Sequence, residues 1–252
     1  MMTILNRTTN RSMSELYRWC AGSLTIIVLC VYSTPTLAQE EVRYSWFEIS
    51  YIGQDVDRMG TQSDIILQQT VDIHATDGDG IQFRGSVGTW NNFYIFVDFA
   101  SSDIDIIGLV TNPGGEFPAT DEFDFTTIRG GLGYRYPINY KMDIYGEFSY
   151  DSLDLDFGSL AGEDFDNNDQ DIGGSLGIRA MFGDNLELRA YSRYSNVGNV
   201  YLNNPVGALD ADTLFGVGFG FTLIRGLSIT GDYESGEFSS WNLGFRIDLD
   251  ED

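Results

Sequence analysis

The chain has 252 residues and is acidic, with 14 Lys and Arg against 38 Asp and Glu for a formal net charge of −24. That balance disfavours nucleic acid as a partner and disfavours unaided contact with anionic lipid head groups. Cys20 and Cys30 both precede residue 39, so a product processed there has no thiol and no disulfide chemistry.

At the N-terminus, Arg7, Arg11 and Arg18 precede an apolar run from Ala21 to Tyr32. Pro35 follows, then Thr36-Leu37-Ala38, which places small residues at both sides of Leu37 as a leader peptidase requires. Residues 1–38 therefore read as a cleaved secretory signal peptide. The run is shorter than the roughly 18 apolar residues of a membrane-spanning helix, and no later segment reaches that length. Leu29 directly before Cys30 argues against a lipoprotein signal, which calls for a small residue there. Residues 39–252 are expected to form one domain.

Beyond the leader a period of two dominates, as where Met142, Ile144, Gly146, Phe148 and Tyr150 alternate with polar neighbours. It predicts ten strands, near 44–53, 81–89, 93–101, 127–136, 140–151, 172–182, 186–196, 213–224, 227–234 and 237–249. Tight turns at Trp90-Asn91-Asn92, Pro137-Ile138-Asn139, Gly183-Asp184-Asn185 and Ile224-Arg225-Gly226 rotate with longer connections between the other pairs. Pro113, Pro118, Pro137 and Pro205 are expected in those loops and turns, where no ladder hydrogen bond is lost. An even strand count puts both termini at the short-turn end.

One face of these strands is free of charge. It carries Phe47, Ile49, Tyr51, Ile81, Phe83, Val87, Ile95, Val97, Phe99, Ile128, Leu132, Tyr134, Ile172, Leu176, Ile178 and Phe182 in the first part. Leu186, Leu188, Tyr194, Phe215, Val217, Phe219, Phe221, Ile229, Tyr233, Trp241, Leu243, Phe245 and Ile247 continue it. A Lys or Arg at a bilayer midplane costs about 2–4 kcal/mol, so this absence fits a wall facing hydrocarbon. Aromatic girdles fit too: Tyr51, Phe99, Tyr150, Tyr194, Tyr233 and Trp241 at one rim, and Tyr134, Tyr136, Tyr140 and Phe182 at the other. The expected fold is all-β, a closed antiparallel transmembrane β-barrel of ten strands, with eight as the alternative. A soluble barrel or sandwich would instead point the apolar face at a core. The glycine content of the opposite face, and its arginines matched by acids, suit a crowded polar lumen better than a solvated exterior.

On that opposite face lie Arg84, Arg129, Arg135, Arg179, Arg189, Arg193 and Arg246, set against Glu48, Asp98, Asp143, Glu147, Glu187 and Asp232. Such a set is either a charged constriction that selects ions or a salt-bridged plug. Ten strands leave little room beyond their own side chains, which favours the plug. The remaining acids gather in the long connections: Asp55, Asp57, Asp64, Asp72, Asp77 and Asp79 in the first, Asp103, Asp105, Glu116, Asp121, Glu122 and Asp124 in the second. Glu163, Asp164, Asp166, Asp169 and Asp171 occupy the third. These read as solvated outer loops, with divalent-cation bridging to lipopolysaccharide as the sharper alternative. Asp164-Phe165-Asp166-Asn167-Asn168-Asp169 lacks the sixth-position glycine and the closing glutamate of a calcium loop. Catalysis has little support. His74, the one histidine, stands two residues after Asp72, and only Asp103 and Asp105 offer themselves as a second acidic pair for a protease of the ten-stranded barrel type. No phosphate loop, zinc spacing or dinucleotide fingerprint occurs, so no cofactor is expected.

The C-terminal run Asn242-Leu243-Gly244-Phe245-Arg246-Ile247-Asp248-Leu249 resembles the closing strand of the small outer-membrane β-barrels of Gram-negative bacteria, of the OmpA/OmpX and porin-like type. The resemblance implies an assembly signal at Gly244, Phe245, Ile247 and Leu249 recognised by the barrel-assembly machinery. This chain departs from the family pattern in ending Leu249-Asp250-Glu251-Asp252 where an aromatic is usual. The resemblance covers the mature chain as an architecture and does not name an activity. The expectation is an integral outer-membrane barrel of the cell envelope in contact with lipid and lipopolysaccharide, structural or interacting and not an enzyme. A narrow porin-like channel for small solutes or ions is the alternative, followed by a protease or lipid-modifying enzyme.

Overall fold

A computed structural model describes residues 44–56, 60–64, 69–160, 163–197, 212–236 and 238–249; the expected signal peptide lies outside the described residues. The strands are β1 (Trp46–Val56), β2 (Gly60–Asp64), β3 (Gln69–Gly88), β4 (Phe93–Asn112), β5 (Gly115–Asn139) and β6 (Met142–Leu160). They continue as β7 (Glu163–Phe182), β8 (Leu186–Ser195), β9 (Asp212–Ile224), β10 (Leu227–Ser235) and β11 (Phe238–Asp248). Every neighbouring pair is antiparallel, and β1 pairs with both β11 and β3, which closes the sheet. Short β2 pairs only with the far end of β3. The barrel wall therefore has ten strands, and closure leaves its backbone no open edge.

Alternation sets the faces. On β1 the even positions Glu48, Ser50 and Ile52 are buried inside while Ile49 and Tyr51 are exposed outside. The same division holds around the ring, with Leu132, Phe148, Leu176, Phe215 and Leu243 all more than half exposed on the outer face. Three tight turns at one end have the backbone they require. Asn91 and Asn92 have φ of 56° and 67°, and Gly183 and Gly226 have 66° and 80°, the left-handed region that tight hairpin turns select. The remaining turn at this end falls on Tyr140 and Lys141, because Pro137 and Asn139 belong to β5, where the register shifts around Ile138.

At the opposite end the expected long loops are strands. β3 to β7 continue far past the wall, and the β4–β5 hairpin turns only at Pro113-Gly114. From Asp103 to Asn112 that adds roughly 30 Å of extended chain. Pro118 lies inside β5, at a level where β5 pairs with β4 alone, so its missing N–H costs no ladder bond. In these extensions the alternation inverts. Ile104, Phe125 and Leu153 are buried on the inner face, while Asp103, Asp105, Glu122, Asp124, Asp154 and Asp156 are exposed on the outer one. The switch from apolar to acidic on the outer face falls between Phe99 and Asp103 on β4 and between Ile128 and Asp124 on β5. It marks the edge of the uncharged band.

Candidate functional site

The lumen is built from cross-strand neighbours of alternating sign. Glu48 is opposite Arg84, Arg84 opposite Asp98, Asp98 opposite Arg129, and Arg129 opposite Asp151. Opposite charges at facing positions support the pairing of their strands. Their side chains also reach further. The Arg84 guanidinium donates through Nε to Glu48 Oε1 at 2.9 Å and through Nη2 to Asp232 Oδ2 on β10 at 2.6 Å. Asp232 accepts a second arginine, with Arg189 Nε at 2.6 Å. Arg246 donates two parallel bonds to Glu187, at 3.0 and 3.2 Å, and Arg179 joins Glu187 to Asp143. Arg129 donates to Glu147 at 2.6 Å, and Tyr94 Oη and Ser175 Oγ satisfy the same carboxylate at 3.0 and 2.6 Å.

Of the sequence-predicted lumen residues, these eleven meet in ion pairs: Arg84, Arg129, Arg179, Arg189, Arg193, Arg246, Glu48, Asp143, Glu147, Glu187 and Asp232. Asp98 accepts from Gln82 Nε2 at 2.8 Å, and Arg135 packs over the Tyr44 ring at 5.0 Å. Several partners went unrecognised in the sequence. Glu234 takes Arg193 at 2.6 Å and Tyr191 at 2.9 Å, Asp151 takes Ser195 at 2.6 Å, and Asp248 stands by Arg246. Each shares the inward parity of a residue already assigned, so parity alone could have found them. Tyr44, just ahead of β1, is buried beneath Arg179, whose guanidinium lies 4.0 Å from its ring, and against Tyr94 at 4.6 Å.

Glycines clear the lanes along which these side chains run. Tyr94 lies across Gly133 of the next strand to reach Glu147 on the one after, and Tyr191 lies across Gly216 to reach Glu234 in the same way. Arg189 passes over Gly218 to Asp232, where a Cβ would come within 2.6 Å of the Arg189 Nε and overlap the carboxylate. A cavity of about 250 Å³ remains, lined by charged groups such as Asp98, Arg129 and Arg193 and by apolar ones such as Ile52, Phe125 and Leu214.

This constellation is inward, charged and closed by a lipid-facing wall, and the outer membrane protein beta-barrel domain family model matches residues 24–222. The chain belongs to that family. As a family member it is an outer-membrane β-barrel, which assigns its uncharged wall to lipid. Solved structures similar to it include OprG of Pseudomonas aeruginosa, 10% identical over 83% of this chain and 98% of that one, TM-score 0.44. Ail of Yersinia pestis is 14% identical over 81% and 99%, TM-score 0.38, and Neisserial surface protein A is 14% identical over 80% and 96%, TM-score 0.38. No curated protein matches the chain.

The remaining sequence-predicted positions fall elsewhere in this barrel. In the backbone register His74 is opposite Ile107, while Asp103 is opposite Asp79 and Asp105 opposite Glu122, so the second acidic pair does not face the histidine. Asp164 to Asp169 belong to β7, an extended strand and not a calcium-coordinating turn. Among the described residues no group of three or more His, Cys, Asp or Glu is arranged to hold a metal ion. On the last strand Phe245 and Ile247 are exposed on the lipid face, Gly244 is buried against Ser50, and the Leu249 N–H donates to the Ser45 carbonyl at 2.8 Å.

Proposed function

We propose that this outer-membrane barrel is a non-enzymatic and non-conducting envelope protein, anchored by its lipid-facing wall and meeting the exterior through its acidic extended strands. The observation that carries the proposal is Arg84, fixed between Glu48 and Asp232 so that its side chain spans β1 and β11 inside the lumen. A guanidinium held by two carboxylates is part of the filling of the barrel and not a mobile pore lining. A narrow channel is the second reading, favoured by the internal cavity of about 250 Å³. Export by a cleaved leader over residues 1–38 and recognition of the last strand by the barrel-assembly machinery belong to the same proposal. So does bridging of the outward acids to lipopolysaccharide phosphates through divalent cations.

Planar-bilayer recording of the purified exported protein tests it. The expected result is baseline current at moderate voltage. A steady current proportional to voltage would establish the channel instead.

A further inference from the structure

We infer that the decisive barrier to ions is an apolar collar at the extended end of the lumen, set above the charge network that fills much of the rest. The inference rests on the non-conducting reading above. Over most of the lumen the inward positions are charged or polar, but near the extended end they change character on five of the strands at once. Ile52 on β1, Ala100 and Ile104 on β4, Phe125 on β5, Leu153 on β6 and Leu214 on β9 all point inward, and none is more than 9% exposed. Ile104 is fully buried and packs on Gly78 of β3, where a Cβ would stand 2.5 Å from its Cγ1. Polar groups at this level are turned on one another, Ser102 Oγ donating to Gln54 Oε1 at 2.6 Å and Arg193, opposite Leu214 in the register, donating to Glu234 at 2.6 Å.

The two layers differ in what they offer an ion. In the network, carboxylates and guanidinium groups stand ready to replace lost water, and the cavity among them is lined by such groups. A permeating ion there exchanges one set of polar contacts for another. The collar offers carbon and polar groups already committed to one another. An ion entering it sheds hydration with nothing in return, a penalty of many kcal/mol, and a constriction of that kind stays closed by remaining dry. All of the collar residues except Ile104 line the same cavity, so the collar bounds the polar compartment.

The test is planar-bilayer recording of the exported protein in three forms: unaltered, Phe125→Ser with Leu153→Ser, and Arg246→Ala with Glu187→Ala, the last removing a two-bonded ion pair near the short-turn end. Barrel formation is verified for each by heat-modifiable gel mobility. The collar variant is expected to pass at least about tenfold more current than the unaltered barrel, with the ion-pair variant as silent as the parent. Leu214→Ser provides a second, milder opening should the double substitution fail to assemble. A folded collar variant that stays silent, or an ion-pair variant that conducts while the collar is intact, overturns the inference and leaves the non-conducting reading standing. Current through the unaltered barrel overturns both.

Discussion

Arg84 and Asp232 are 148 residues apart in the chain and meet in the lumen at 2.6 Å, on strands that become near neighbours only because β1 closes the ring between β3 and β11. Asp232 is buried and also carries Arg189, so two guanidinium groups depend on one carboxylate.

Asp232→Ala should therefore leave two buried cations short of a partner. Breaking a buried pair from one side costs about 3–5 kcal/mol, and here the loss falls on both arginines. Urea unfolding of the refolded barrel is expected to show a midpoint lowered accordingly, while Asp184→Ala, at an exposed turn, stays near the parent. Equal midpoints for the two variants would remove Asp232 from the centre of the network.

Gly218→Ala tests the lane between Arg189 and Asp232. The added methyl overlaps the carboxylate and must displace an ion pair, at the roughly 1–3 kcal/mol of an overpacked interior. Gly146→Ala is the matched control on the lipid face, where the nearest atoms to a new Cβ are 3.8 and 3.9 Å away. Thermal unfolding in detergent should rank Gly218→Ala well below Gly146→Ala.

Outward, Leu132→Arg should destabilise by about 2–4 kcal/mol, because this exposed side chain lies within the apolar band. Thr126→Arg, nearer the acidic extension on the same strand, should cost much less. Folding yields into lipid vesicles measure the difference, and a tolerated Leu132→Arg would contradict the lipid assignment of the wall.

Acidity is crowded above the band. Asp79, Asp103, Asp124 and Asp156 occupy one cross-strand row, and like charges at facing positions oppose pairing. Partial loss of solvent, followed by hydrogen bonding and repulsion from Asp103, pushes the Asp124 carboxyl up to about 6 from an ordinary value of 3.8. Folded Asp124 thus binds its proton more tightly than the unfolded chain does. Between pH about 4 and 6 the folded form holds more protons, so this contribution to stability is present at the acid end and lost as pH rises through the window. Asp124→Asn should flatten the slope of unfolding midpoint against pH over that range and raise the midpoint at neutral pH.

The wall and the lumen were legible because alternation assigns each side chain to a face without knowledge of its neighbours. Leu132 and Arg129 were placed on opposite sides by counting alone, and the structure keeps them there. The extended strands were less so. Asp154 and Leu155 alternate as regularly as Phe148 and Ser149, but acid content made the segment read as a loop, and its apolar residues sit on the opposite parity. An inverted alternation signals a strand that has left the membrane with its pleat continuous, since only the medium on its outer face has changed.

Composition and a period of two, on their own, determined that this chain builds a closed wall with an uncharged exterior and a charged interior, because strand geometry sends successive side chains to opposite faces. Register, closure and the tilt of the strands decided the rest. They made Asp232 the partner of Arg84, set Gly218 beneath Arg189 and gathered Ile52, Phe125 and Leu214 around one cavity. A periodic sequence tells each residue which way to point, but which residues meet there depends on how the ring closes.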